Sequence, residues 1–75
     1  METIIWNLKE NGKIVVALKT EDLVIKIYDD DKGKAIASIS GNYPKGLENL
    51  INSINKSGIS VRTAEILLKQ ELARL

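Results

Sequence analysis

Ile14-Val15-Val16-Ala17-Leu18, closed on either side by Lys13 and Lys19, is the stretch around which the chain is threaded. β-Branched residues dominate it, and they suit a pleated, half-buried surface. Read as a strand over 13–19, it sends Ile14, Val16 and Leu18 to one face. Lys13, Val15, Ala17 and Lys19 go to the other, because successive side chains of a strand alternate. Similar alternation runs through about 3–9, 23–28 and 34–40, and Gly, Asn or Asp residues bound these runs. The expected sheet is a four-stranded antiparallel meander.

The turns have to agree with that alternation, since a slip of one residue turns every side chain to the wrong face. A three-residue loop, Glu10-Asn11-Gly12 with Gly12 left-handed, sets Leu8 opposite Ile14 and Trp6 opposite Val16. A two-residue Asn-Gly turn would set Leu8 opposite Val15 and break the pattern. A four-residue loop from Lys19 to Asp22 pairs Leu18 with Leu23. A five-residue loop from Asp29 to Gly33 pairs Tyr28 with Lys34.

Three apolar inner rows result. They are Ile4, Leu18, Leu23 and Ile39; then Trp6, Val16, Ile25 and Ala37; then Leu8, Ile14, Ile27 and Ala35. Trp6 is expected inside, as a core residue. The outer face is mixed. It holds Ile5, Val15, Val24 and Ile36, and at one end Lys9, Lys13, Tyr28 and Lys34, with Lys26 one row in. Lys9 opposite Lys13 would be a like-charge pair, destabilising unless an anion lies nearby.

Two helices follow, over about 44–57 and 60–75. Pro44 suits the first helical position, and Leu47, Leu50, Ile51 and Ile54 form a stripe at helical spacing. That stripe is expected over Trp6, Val16 and Ile25. Gly58 suits the position just past the helix end, and Ser60 can cap the second helix. The second helix places Val61, Ala64, Leu68, Leu72 and Leu75 on one side, and Ile66 and Ala73 on the opposite side. The fold class expected is α+β, a single domain over 1–75 with both helices on one sheet face.

The chain has 75 residues and a formal net charge of +1, so any preference for a polyanion must come from local segregation of charge. A core this small favours a homodimer. With no Cys there is no disulfide or thiolate chemistry, and with no His the commonest general base and metal ligand are missing. The reading is non-enzymatic, with no catalytic residues, cofactor or metal. The opening METIIWNLKE has no signal-peptide pattern, and no apolar run reaches membrane-spanning length, so a cytoplasmic location without membrane attachment is expected.

The candidate site is the outer-face cluster Lys9, Lys13, Lys26, Tyr28 and Lys34. Ammonium groups would hold phosphates while Tyr28 stacks a base, the combination by which sheet surfaces bind single strands. The plain alternative is a face solvated by lysines. Asp29-Asp30-Asp31 reads as a hairpin turn, since nothing after it supplies the glycine and bidentate Glu of a calcium loop. A lesser alternative is a helix-turn-helix over 47–72, with Arg62, Thr63, Lys69 and Gln70 facing a major groove.

Four strands followed by a helix, with Gly12-Lys13-Ile14-Val15-Val16 opening the second strand, resembles the positive-cofactor-four family of transcriptional coactivators. The resemblance covers about 6–54. It implies a dimer that binds single-stranded DNA on a curved sheet, with Lys13, and more loosely Lys26 and Lys34, at comparable basic positions. The second helix departs from the family pattern. The expected function is thus binding of single-stranded DNA or RNA. The rival is a protein-interaction or assembly module working through the outer face or the second helix.

Overall fold

The computed structural model describes the backbone of residues 4–10 and 13–75, and side chains from Val16 onward. The elements in order are β1 (Ile4–Glu10), β2 (Lys13–Lys19), β3 (Leu23–Asp29), β4 (Ala35–Gly41), α1 (Lys45–Ser57) and α2 (Val61–Ala73). Among the described side chains, the core is a three-stranded antiparallel sheet, β2 to β4, carrying two helices, and is α+β. This corrects the expected four-stranded core: no fourth strand contributes a side chain to it among those described. β1 joins as backbone only, hydrogen-bonded along β2 at the end of the order β1-β2-β3-β4. Expectations about the side chains of Ile4, Trp6, Leu8, Lys9, Lys13 and Ile14 lie outside the described residues.

The backbone pairing also corrects the expected register at all three hairpins. Between β1 and β2 the slip is one residue: Leu8 pairs with Val15, Trp6 with Ala17, and Glu10 with Lys13. This slip exchanges the parity of β1 relative to β2, and the expected loop conformation at Gly12 lies outside the described residues. In the backbone register Lys9 is therefore opposite Ile14, and Lys13 opposite Glu10, in place of the expected Lys9–Lys13 register.

The other two slips are of two residues and leave the faces unchanged. Leu18 pairs with Ile25 rather than Leu23, because the Thr20 amide donates to the Leu23 carbonyl at 3.0 Å and makes Thr20 part of the turn. The Thr20 hydroxyl also accepts from the Asp22 and Leu23 amides, each at 3.3 Å. Tyr28 pairs with Ile36 rather than Lys34. There the Asp30 amide donates to the Lys34 carbonyl at 3.0 Å, which sets Lys34 opposite Asp30 rather than Tyr28.

Val16, Leu18, Leu23, Ile25, Ile27, Ala35 and Ala37 form the sheet side of the core. Leu47, Ile51 and Ile54 meet it from α1, and Ala64, Leu68 and Leu72 from α2. Burial of each large apolar side chain stabilises by about 1.5–3 kcal/mol. α1 packs chiefly on β4, and α2 on β3. The α1 stripe therefore sits nearer the β4 edge than its expected place over Trp6, Val16 and Ile25.

Pro44 is the N-cap of α1, one position earlier than expected, with extended backbone. Gly58 ends α1 in the left-handed conformation at φ 70°, and the Ser60 hydroxyl accepts from the Thr63 amide at 3.2 Å to cap α2. Gly41, at φ 100°, is demanded by a close approach. A Cβ there would run into the Asp22 carbonyl oxygen and stand 2.9 Å from the Cα of Leu23.

The outer edge of β4 is closed by the chain itself. The Asn55 side chain, reaching from α1, accepts from the Ala37 amide at 2.7 Å and donates to the Ala37 carbonyl at 3.0 Å. Next to it, the Ala35 amide donates to the Ile59 carbonyl at 2.7 Å. One primary amide thus completes the hydrogen bonding of an edge residue as a neighbouring strand would.

Candidate nucleic-acid interface

With both helices on one face, the other face of β2 to β4 is built from Ala17, Lys19, Val24, Lys26, Tyr28, Ile36, Ser38 and Ser40. The register sets Ala17 beside Lys26 and Lys26 beside Ser38, and Lys19 beside Val24 and Val24 beside Ser40. Tyr28 stands beside Ile36 at the far end. Val24, Lys26 and Ile36 are half-buried, and Ala17 is only 1% exposed although it is on this face. Tyr28 is 38% exposed, an aromatic ring partly open to solvent.

Lys26 and Tyr28 lie two residues apart on β3 and therefore on one face, roughly 7 Å apart along the strand. That spacing permits one nucleotide to meet a cation with its phosphate and the ring with its base. Lys19, exposed on β2, adds a cation to the same face that was not among the expected site residues. Alternation placed it on this face, and the four-residue loop of the expected register, Lys19 to Asp22, left it out of the site.

Lys34 is elsewhere. Its Cδ, Cε and Nζ lie 3.5, 3.6 and 3.7 Å from where a Cβ on Gly58 would stand, at the C-terminal end of α1. Carbonyls at that end carry partial negative charge, so the ammonium group is stabilised there. The structure thus brings Lys26 and Tyr28 together and separates Lys34 from them. Lys9 and Lys13 lie outside the residues described with side chains.

The loop that displaces Lys34 is made by its aspartates. Asp29 accepts from the amides of Asp31 and Gly33, both at 2.9 Å. Asp30 accepts from those of Lys32 at 2.9 Å and Lys34 at 3.1 Å. Asp31 adopts a left-handed φ of 80°. The Lys32 amide is the main reason the Asp30 carboxyl titrates below its ordinary 3.8. Desolvation opposes the shift, while the Lys34 amide and the charges of Lys34 and Lys32 reinforce it. Among the described residues, no group of three or more His, Cys, Asp or Glu side chains is placed to hold a metal ion.

On α2, the Thr63 hydroxyl accepts from Ser60 at 3.0 Å, and Lys69 pairs with Glu65 at 2.9 Å. Two of the four groups considered for a major groove are thereby engaged within the helix, while Arg62 and Gln70 are exposed. No helix among the described residues is long and apolar enough to cross a membrane. The chain matches no family model, and no curated protein or solved structure is significantly similar to it.

Proposed function

We propose that the protein binds single-stranded nucleic acid on the sheet face opposite its helices. The observation that carries this reading is the exposed ring of Tyr28 two residues from Lys26 on that face. Tyr28 stacks a base, Lys26 and Lys19 meet phosphates, and Ser38 and Ser40 offer hydroxyls along the same surface. Neither base identity nor the sugar is read by such a surface, so binding is sequence-tolerant and weakens as salt rises. The resemblance to the positive-cofactor-four coactivators has the same implication.

Anisotropy of a labelled oligonucleotide tests it. Tyr28→Ala should weaken binding about tenfold, the order of one lost stacking contact, and Lys26→Glu should weaken it and flatten its salt dependence. Both variants binding like the parent would remove the proposal.

A second reading has its own observation. Ile66, 47% exposed, lies on the side of α2 opposite the buried Ala64, Leu68 and Leu72, the side that helical spacing shares with Ala73, and Leu67, 37% exposed, is on the flank. An exposed apolar side chain there fits a protein partner, and this reading gains if the parent ignores oligonucleotides at low salt.

A further inference from the structure

The two edges of the sheet differ, and the alternation of backbone hydrogen bonds shows which groups each presents. In β4 the amides of Ala35 and Ala37 leave the sheet, toward Ile59 and Asn55. The bonded pairs between β3 and β4 are therefore Lys26 with Ser38 and Tyr28 with Ile36. One strand further, Ile25 and Ile27 bond to Leu18 and Val16, and beyond them Ala17 and Lys19 bond to Trp6 and Ile4. In β1 the even-numbered residues thus bond inward, and the amides and carbonyls of Ile5, Asn7 and Lys9 point away from β2. By the same alternation the pair Glu10 with Lys13 is a bonded pair.

We infer that a second copy of this chain pairs antiparallel along β1, about a two-fold axis through Asn7. Only a register that matches outward residue to outward residue exchanges hydrogen bonds. Centring it on Asn7 uses the whole strand: Asn7 meets the partner's Asn7, and Ile5 meets the partner's Lys9. In this register the charged end of one strand, Lys9-Glu10, lies against the uncharged Ile4-Ile5 end of the other. The two lysines are kept at opposite ends, whereas a register shifted by two residues towards the Lys9 end moves them toward each other. The β4 edge offers no such pairing at residues 35 and 37, because Asn55 and Ile59 occupy it. β1 keeps one ladder with β2 along all its residues and contains no proline.

Sedimentation equilibrium over a wide concentration range, with amide hydrogen exchange, tests the inference without nucleic acid, so its failure leaves the proposed function standing. The parent should sediment as a dimer, with the amides of Ile5, Asn7 and Lys9 protected. Asn7→Pro removes an amide that β2 does not use, so β1 tolerates it while the central pair loses both its bonds. The dimer dissociation constant should rise about tenfold or more. If that variant fails to fold by circular dichroism, Asn7→Lys, which sets two ammonium groups against each other at the axis, should do the same. A parent that stays monomeric throughout, a dimer indifferent to the folded variant, or a dimer with these three amides unprotected would each overturn the inference.

Discussion

β3 presents two faces that were read with the same rule and turned out differently. Toward the helices stand Leu23, Ile25 and Ile27, all buried; away from them stand Val24, Lys26 and Tyr28, half-buried or exposed. The inner face survived hairpin slips of two residues on both sides, because such slips preserve parity and exchange one apolar neighbour for another. On the outer face the slip took Lys34 from its place opposite Tyr28. The outer cluster needed particular residues side by side, and the same slip that left the core intact moved Lys34 to the end of α1. A core needs only a pattern, whereas a site needs the register itself.

The contrast can be broken first from the inner side. Ile25 is fully buried, so Ile25→Ala should cost about 2–5 kcal/mol in denaturant unfolding. Tyr28→Ala, two positions away on the outer side of the same strand, should differ from it by most of that amount. Gly41→Ala forces a Cβ into the β2–β3 turn at a positive φ and should cost about 1–3 kcal/mol, with the loss visible as broken protection of the Asn42 amide, which donates to Asp22 at 2.9 Å.

Asn55→Ala should cost about 1–2 kcal/mol by removing two hydrogen bonds, and should raise light scattering on mild heating as the β4 edge opens. The smallest effect belongs to the loop. Asp30 is held ionised, so its contribution to stability is present above about pH 3.8 and is lost as pH falls through the lower folded value. A carbon-detected titration should place the Asp30 midpoint below 3.8, and a midpoint at or above it would show that the Lys32 amide does not favour the charge.

Much of this was legible in the chain. The apolar stripe of α1, with Gly58 after it, and the Ser60 cap of α2 mark the helices within one or two residues. The parity of β3 and β4 followed from alternation alone. β1 resisted because its alternation was matched to the apolar face of β2, whereas the backbone register sets its even-numbered residues opposite the odd-numbered residues of β2. Lys34 was misplaced because the loop it belongs to is fixed by carboxylate-to-amide bonds, which displace the five-residue connection by one position without any trace in hydrophobic spacing. Asn55 gave no signal: a polar residue on the flank of an amphipathic helix looks like any solvated one.

The Asn55 contact has a temporal side. Ala37 and Asn55 are separated by eighteen positions, and Ile59 follows later still. A nascent chain emerging from the ribosome completes its last strand while the residues that seal it remain in the exit tunnel. During that interval the strand is a template for any extended polypeptide nearby, and only the arrival of the first helix retires it.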